Sequence, residues 1–297
     1  MTARVSVLGL GRMGTAFAER LQEAGRDVTV WNRTPGRAED LVARGAVEAG
    51  TLPEAAASDV VLSIVLDDDA LAALHGPGGL LDGDRLPSVW IDSSTVSPAA
   101  AASAAAAAKA RGVAFVSAPV SGNPPVVRSG GAVFAVSGDD KAAVDAAAEV
   151  LADVGRAVHR VGSGVSATMV KLCTNALLGI TMQALAEVAV LGEQAGVRRS
   201  GLMAFVNDSA VGSNFTRYKT DAIVSLGLEP TFTPEGMRKD LRLAVDAGRQ
   251  LDVPAPLISA VEVEFSRLAA SGLGDGKDFA ALILQVARDA GATVEPE

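Results

Sequence analysis

Residues 4–34 read RVSVLGLGRMGTAFAERLQEAGRDVTVWNRT, and the fold class of the N-terminal half can be inferred from this segment. Val5–Leu8 is a short apolar run before a turn, a pattern typical of a buried parallel strand. A glycine-rich turn at 9–14 opens a helical pattern that ends at Gly25, and residues 27–32 form a second apolar strand. Strand, glycine turn, helix and strand in this order are the context that the dinucleotide-binding fingerprint requires.

Each glycine of the turn has a separate physical role in that fingerprint. Gly9 permits the sharp turn out of the strand, Gly11 lets a pyrophosphate approach the backbone, and Gly14 lets the helix pack close to the sheet. The helix N-terminus then offers unpaired N–H groups to the phosphates. The predicted cofactor turn comprises Gly9, Leu10, Gly11, Arg12, Met13 and Gly14.

The end of the second strand indicates which dinucleotide is bound. NAD-binding proteins usually place a carboxylate there for the ribose 2′-hydroxyl, whereas this chain has Asn32, Arg33 and Thr34, with Arg37 close by. A guanidinium suits a 2′-phosphate, so the sequence favours NADP over NAD. The alternative is that Arg33 is a solvated loop residue.

Strands and helices continue to alternate until about residue 164, and almost only helices follow. The predicted strands are 59–66, 88–95, 113–120 and 132–138, and the predicted helices of this half are 98–112 and 139–155. Beyond 164 we expect helices near 165–196, 200–211, 234–250, 255–271 and 277–290. The prediction is an α/β fold with domains 1–163 and 164–297, joined by a long helix at about 165–195.

Composition excludes several classes of protein. The net charge is −9 and no basic patch is visible, which argues against nucleic acid as a partner. The single cysteine, Cys173, permits no disulfide within the chain and is expected to be a small core residue. We expect no signal peptide, no membrane span and a cytoplasmic protein, because Lys171 interrupts the one apolar run of sufficient length.

The segment TMVKLCTN, residues 168–175, is the strongest candidate for chemistry. Lys171 is the only formal charge between Arg160 and Glu187, and Asn175 lies one helical turn later on the same face. A lysine in a partly dry pocket can exchange a proton with a carbonyl oxygen that accepts a hydride. The alternative is that Lys171 extends to the surface and that Asn175 has a local structural role.

Other catalytic types find less support. His75 is expected in a surface loop and His159 before a short strand, and neither has metal-ligand spacing with Asp or Glu, so no metal is expected. Ser94, Thr95 and Ser121 have no accompanying His–Asp set, which argues against a nucleophilic hydrolase.

Four motifs occur in order along the chain: GLGRMGTAFAERL (9–21), APVSGN (118–123), GSGVSATMVKLCTN (162–175) and MRKDLRLA (237–244). In this order they resemble the β-hydroxyacid dehydrogenases, a group that includes 3-hydroxyisobutyrate dehydrogenase and the glyoxylate/succinic semialdehyde reductases. The resemblance implies an N-terminal Rossmann domain with a doubly wound sheet, a long interdomain helix and an all-α C-terminal domain. It also implies a homodimer or homotetramer and a small carboxylate-bearing substrate.

The resemblance also implies roles for individual residues. Lys171 would be the catalytic general acid/base and Asn175 the residue that orients the substrate. The loop Ser121, Gly122 and Asn123 would hold the substrate carboxylate, although the family usually has glycine or serine at the third position and lacks Pro124 and Pro125. The remaining implied contacts are Phe232 and Asp240 for the substrate and Val65, Leu66, Thr95 and Lys239 for the cofactor.

Two rival functions share this fold. An imine reductase or reductive aminase would usually replace the helix lysine, so Lys171 and Asn175 favour hydroxyacid chemistry. A non-catalytic NADP-binding protein is the rival from another class, because fold alone does not imply catalysis.

Overall fold

The computed structural model describes residues 3–297 and forms two compact units. The first unit ends at Lys171 and the second comprises Leu172–Glu297. The α/β half followed by a helical half is the fold class expected from the sequence.

The first unit is built on a nine-stranded sheet. Its strands are β1 (Val5–Leu8), β2 (Val28–Trp31), β3 (Val47–Glu48), β4 (Val60–Ser63), β5 (Val89–Asp92), β6 (Ala114–Ser117), β7 (Val120–Ser121), β8 (Ala132–Ser137) and β9 (Gly155–Gly162). The order is β3-β2-β1-β4-β5-β6-β8-β7, with β9 paired to β8, and β1–β6 are parallel. The order reverses between β1 and β4, and open α/β sheets bind ligands at such a switch point, beyond the carboxyl ends of the strands.

Helices cover both faces of this sheet. They are α1 (Arg12–Glu23), α2 (Glu39–Ala43), α3 (Leu52–Ala56), α4 (Asp68–His75), α5 (Pro98–Ala110), α6 (Pro124–Arg128) and α7 (Lys141–Ala152). Strand residues alternate between two apolar clusters, with Val60 and Leu62 in one and Val61 in the other. That alternation is what a doubly wound sheet requires, because each face must be buried.

The second unit is helical. After α8 (Ser166–Gln194), which begins in the first unit, come α9 (Arg199–Asp208), α10 (Asn214–Val224), α11 (Pro234–Gln250), α12 (Pro256–Ser271), a 3-10 turn (Phe279–Ala281) and α13 (Leu282–Asp289). The sequence predicted all of these regions except α10. Most of its residues are polar or β-branched. Its capping box pairs Ser213 with Thr216, whereas the usual capping-box sequence has glutamate or glutamine at the second position.

Several local expectations were wrong. His75 is not in a surface loop; it is the last residue of α4, with its ring 6.2 Å from that of Trp90. His159 does not precede a short strand; it lies within the eight-residue strand β9. Cys173 is exposed and not part of the core, because it lies on the outer side of α8.

Within residues 3–297, α8 is the one helix long and apolar enough to cross a membrane by length and composition. Half of its most apolar window is buried inside the protein, and core helices pass the same test. This is weak evidence for a membrane span.

Candidate cofactor and substrate site

The glycine turn after β1 has the shape of a phosphate cradle. Gly9 has φ +94°, and a Cβ there would lie 2.4 Å from the carbonyl oxygen of Ile64. A Cβ on Gly14 would lie 1.8 Å from the carbonyl oxygen of Gly9, so neither position accepts a side chain. At Gly11, by contrast, the described residues place no atom within 4 Å of the Cβ position, apart from the adjoining backbone. Two glycines are therefore required by packing, and the third leaves the backbone open at the N-terminus of α1.

Asn32, at the end of β2, connects this turn to the next loop. Its Oδ1 accepts from the backbone N–H of Leu10 at 2.9 Å, and its Nδ2 donates to the carbonyl oxygen of Thr34 at 2.8 Å. Arg33, Thr34 and Arg37 are exposed in the loop that follows β2. Asn32 thus shapes the turn, while the two arginines lie on the surface beside it.

On the other side of the switch point, the loops after β4 and β5 are linked. The backbone N–H of Val65 donates to Ser94 Oγ at 2.9 Å. Leu66 is 76% exposed, and Thr95 is partly exposed. A Cβ on Gly9 would also lie 3.3 Å from Val65 Cγ1, so Val65 and Leu66 belong to a loop that adjoins the glycine turn, and Ser94 links the loop of Thr95 to it.

The loop predicted to hold a carboxylate follows β7 and leads into α6. Gly122 has φ +149°, a region that favours glycine, and a Cβ there would lie 3.2 Å from Val126 Cγ1. Asn123 is the N-cap of α6, and its Oδ1 accepts from the backbone N–H of Val126 at 3.0 Å. Pro124 occupies the first helical position, where it is well tolerated. The unusual Asn123–Pro124–Pro125 sequence therefore builds a capped helix start.

The first turn of α8 is attached to the carboxyl end of β6. Ser117, the last residue of β6, hydrogen-bonds through Oγ to Thr168 Oγ1 at 2.9 Å. The backbone N–H of Ala167 donates to Ser137 Oγ at 2.9 Å, and Ser137 pairs with Ser117 across the sheet. Lys171 lies three residues beyond Thr168 on the same helix. The backbone at Lys171 is therefore close to the edge of the sheet at which β1 and β4–β6 end.

In the second unit, Asn175 and the KDL motif of α11 are in direct contact. Asn175 Nδ2 donates to Asp240 Oδ2 at 2.5 Å, and both residues are almost fully buried. Lys239 Nζ lies 3.0 Å from Asp240 Oδ1. A carboxylate can only accept, so Asp240 fixes which end of the Asn175 amide faces it. The amide oxygen of Asn175 is thereby directed away from Asp240.

Phe232 packs within the helical unit. Its ring meets that of Phe279 edge to face with centroids 5.8 Å apart, and a Cβ on Gly236 would lie 2.6 Å from Phe232 Cε2. The backbone N–H of Phe232 donates to Asp278 Oδ2 at 3.3 Å. Phe232 was predicted as a substrate contact, and its surroundings in this unit are an aromatic cluster.

Sequence reasoning missed the buried ion pair that supports this cluster. Lys219 Nζ lies 2.6 Å from Asp278 Oδ1, and both side chains are 3% exposed. Burial lowers the pKa of Lys219, against the opposing effect of Asp278. Burial alone would raise the pKa of Asp278, but the hydrogen bond and charge of Lys219 lower it overall. A lysine and an aspartate separated by fifty-nine residues give no local pattern that sequence reading could detect.

Comparison with known families covers nearly the whole chain. Residues 4–162 match the family described as the NAD binding domain of 6-phosphogluconate dehydrogenase. Residues 165–286 match the family described as NAD-binding of NADP-dependent 3-hydroxyisobutyrate dehydrogenase.

Individual relatives are also similar to this chain over most of its length. The chain is 29% identical to 2-(hydroxymethyl)glutarate dehydrogenase of Eubacterium barkeri, covering 94% of this chain and 93% of that protein. It is 31% identical to the cytokine-like nuclear factor N-PAC of Xenopus tropicalis over 92% of this chain, but it spans about half (51%) of that longer protein. The structure of Mycobacterium tuberculosis 3-hydroxyisobutyrate dehydrogenase with L-serine has a TM-score of 0.88 and 27% identity, covering 96% of this chain and 99% of the other.

The dinucleotide turn, the order of the sheet and the matches to both halves lead to one conclusion. The chain belongs to the β-hydroxyacid dehydrogenase family of NAD(P)-dependent oxidoreductases.

Proposed function

We propose that this protein is an NADP-dependent reductase or dehydrogenase of small hydroxy acids or semialdehydes, with Lys171 as the general acid/base. The observation that carries the proposal is the attachment of α8 to the sheet. Ser117 and Thr168 hold the turn before Lys171 at the carboxyl end of β6, on the edge that carries the dinucleotide turn. An amine there is suitably placed for chemistry at the nicotinamide end of a bound cofactor.

The residues fit a dinucleotide. Open space at Gly11, together with the N-terminus of α1, offers backbone N–H groups to a pyrophosphate. Arg33 and Arg37 would pair with a 2′-phosphate and favour NADP, in line with the NADP-dependent family matched by residues 165–286. When bound, the cofactor supplies or accepts a hydride.

Lys171 would move the proton that accompanies this hydride. In reduction, the ammonium hydrogen-bonds the substrate carbonyl oxygen and donates a proton as negative charge develops there. In oxidation, the neutral amine takes the proton back from the hydroxyl. The proton therefore passes between Nζ and one substrate oxygen in both directions.

Asn175 and Asp240 would keep this geometry constant. Asn175 lies one turn after Lys171 on α8, and Asp240 holds its amide in one orientation. The amide oxygen is then available to accept from the Lys171 ammonium or from the substrate hydroxyl. Asp240 acts here as a positioning residue, and a direct substrate contact by Asp240 or Phe232 stays a prediction.

We propose a carboxylate-bearing substrate on the basis of the loop at Ser121, Gly122 and Asn123. Gly122 permits a tight backbone turn, and the Asn123 cap makes the start of α6 rigid. A rigid loop in which Ser121 and Gly122 are exposed suits a planar anion better than an uncharged ketone, because a serine hydroxyl and backbone N–H groups are anion-binding donors.

We also propose that the protein is a homodimer or homotetramer. Four residues on one side of α8 are spaced so that they form a single stripe: Leu177, Ala184, Val188 and Leu191. Leu177 is 62% exposed and Leu191 is 71% exposed in the single chain. An exposed apolar stripe of this length is typical of an interaction surface. Leu177→Glu with Leu191→Glu should therefore lower the mass measured by light scattering, and an unchanged mass would exclude this surface.

The decisive experiment is a substrate panel read at the nicotinamide absorbance band. Hydroxy acids, semialdehydes and cyclic imines are each tested with NADPH and NADH. Carbonyl reduction without imine reduction supports the proposal, and preferential imine turnover supports an imine reductase. Tight cofactor binding with no turnover of any compound supports the non-catalytic alternative.

The lysine is tested by Lys171→Ala, with Lys109→Ala as a control at an exposed position on α5. Loss of a general acid typically lowers kcat about 10²–10⁴-fold. We expect this loss for Lys171→Ala and no change for Lys109→Ala, with cofactor binding retained in both. A Lys171→Ala variant that keeps most of its turnover contradicts the assignment.

A further inference from the structure

We propose that Asp92 is a positioning residue for the nicotinamide half of the cofactor site. It acts through Ser94, which accepts a hydrogen bond from Val65 in the loop after β4. The inference rests on the cofactor placement proposed above. It assigns a function to a buried polar cluster in the first unit, formed by Ser63, Trp90, Asp92 and Ser94. None of these four residues was among the predicted site residues.

The cluster is a chain of hydrogen bonds between two neighbouring strand ends. Asp92 is the last residue of β5 and is 2% exposed. Its Oδ1 accepts from Ser63 Oγ at the end of β4 and from Ser94 Oγ in the following loop, each at 2.7 Å. Ser94 Oγ then accepts from the backbone N–H of Val65 at 2.9 Å. Ser63 Oγ accepts from Trp90 Nε1 at 2.8 Å.

The carboxylate sets the direction of every bond in this chain. An ionised carboxylate is an acceptor only, so both serine hydroxyls must donate their single proton to it. Each serine oxygen then presents lone pairs to its other partner, and both partners, Val65 N–H and Trp90 Nε1–H, are donors only. Without Asp92, the Ser94 hydroxyl could rotate and compete for other acceptors. The hydrogen bond from Val65 to Ser94 therefore depends on Asp92, which accepts from Ser94.

Ionisation of Asp92 is compatible with this role at neutral pH. Burial raises the pKa of Asp92 to about 6, and the hydrogen bonds from Ser63 and Ser94 oppose that rise. A carboxylate that is almost fully buried on a central strand carries a desolvation penalty that an apolar residue would avoid. Its presence beside two hydroxyl partners therefore favours a specific role for Asp92.

The topology connects the cluster to one half of the cofactor. The glycine turn lies at the switch between β1 and β4, and Arg33 follows β2 on one side of it. Val65 and Thr95 follow β4 and β5 on the other side. A dinucleotide with its pyrophosphate at the turn and its adenosine phosphate near Arg33 extends its second nucleotide over β4 and β5. The cluster links these two loops, so its effect should be confined to the nicotinamide end.

The test compares two ligands that share the adenosine half. NADPH contains both halves, whereas 2′-phospho-ADP-ribose lacks the nicotinamide. Ser94→Ala removes the link to Val65, and Ser94→Thr restores a hydroxyl. Ser6→Ala is the matched control, because Ser6 is equally buried on β1 and donates to the carbonyl oxygen of Ala55 at 2.6 Å, away from these loops. Kd is measured by calorimetry, and the fluorescence of bound NADPH reports the surroundings of the nicotinamide.

We expect Ser94→Ala to weaken NADPH binding about fivefold, the effect of one net hydrogen bond, with no change for 2′-phospho-ADP-ribose. Bound NADPH should also change its fluorescence, and Ser94→Thr should restore both properties. Asp92→Asn is the second variant and should show the same selective loss. Ser6→Ala should lower thermal stability without a selective effect on either ligand.

The outcomes separate this inference from the proposed function. Equal weakening of both ligands by Ser94→Ala, or no weakening of either, contradicts the positioning role of the cluster. Failure of the wild-type protein to bind NADPH or NADH would instead contradict the proposed function itself.

Discussion

Replacing Asp278 by asparagine would leave the Lys219 ammonium buried without its counter-charge. The two side chains are each 3% exposed, and Nζ to Oδ1 is 2.6 Å. After the change, the ammonium keeps cation–π contacts with Phe279, at 4.3 Å, and Tyr218, at 4.8 Å. Removing one partner of a buried pair typically costs about 3–5 kcal/mol. Because burial already lowers the pKa of Lys219, the lysine can lose its proton, which limits the cost of the change. We therefore expect the free energy of unfolding to fall by about 4 kcal/mol.

Lys219→Met, the change at the other partner of the pair, should lower the free energy of unfolding by a smaller amount. Asp278 would still accept from Thr231 Oγ1 at 2.6 Å and from the backbone N–H of Ala280 at 3.0 Å, so its charge stays partly satisfied. We expect about 2 kcal/mol, in the range for loss of one hydrogen bond to a charged group. The double variant should cost clearly less than the sum of the two, because it leaves no unpaired charge.

The assay is urea unfolding followed by circular dichroism, with Lys141→Met as the control. Lys141 pairs with Asp145 at 2.8 Å, but its side chain is 84% exposed, and surface pairs contribute about 0–1 kcal/mol. If Lys219→Met and Lys141→Met lower the free energy of unfolding equally, or if Asp278→Asn costs less than Lys219→Met, this account of the buried pair is wrong.

Three further tests address the cofactor, the Asn175 amide and Glu297. Arg33→Ala with Arg37→Ala should raise KM for NADPH about tenfold and leave KM for NADH unchanged, because only NADPH carries the 2′-phosphate; equal KM changes in steady-state assays would oppose the NADP proposal. Asp240→Asn should lower kcat about tenfold or more while KM for NADPH is unchanged, since Asn175 loses its fixed orientation, and an unaltered kcat would show that Asp240 does not position it. Hydrogen bonds from Ser200 lower the pKa of Glu297 from 4.5 to about 2. The contribution of Glu297 to stability is therefore present above pH 4.5 and is lost as the pH falls toward 2. Glu297→Gln should flatten that part of the pH–stability curve, and a curve identical to that of the wild type would refute the linkage.

Local patterns predicted the fold well where one segment contained the whole signal. The glycine turn, the alanine-rich helix α5 with its Ser97 cap and Pro98 start, and the helices α11 and α12 each have their own boundaries in sequence. Strand ends were predicted too long, as for the strand expected at 59–66, because the apolar run continues through Ile64, Val65 and Leu66 after β4 has ended at Ser63.

The sequence could not predict contacts between distant residues. Arg199 is fully buried, with its guanidinium paired to Glu193 at 3.0 Å, although an arginine at a helix start is usually solvated. The Asn175–Asp240 contact likewise spans sixty-five residues, and neither motif alone indicates that the amide is held by the carboxylate. Spacing placed Lys171 and Asn175 on one face of a helix, but pairing across helices depends on tertiary packing.

The exposed thiol of α8 has a practical consequence. Cys173 is the only cysteine of the sequence, and it lies two residues from both Lys171 and Asn175. Two residues along a helix turn a side chain by about 200°, so the thiol is directed away from the face that carries the proposed chemistry. A maleimide fluorophore could therefore be attached at one defined position without mutagenesis, and quenching between labelled chains would report on encounters along the outer side of this helix.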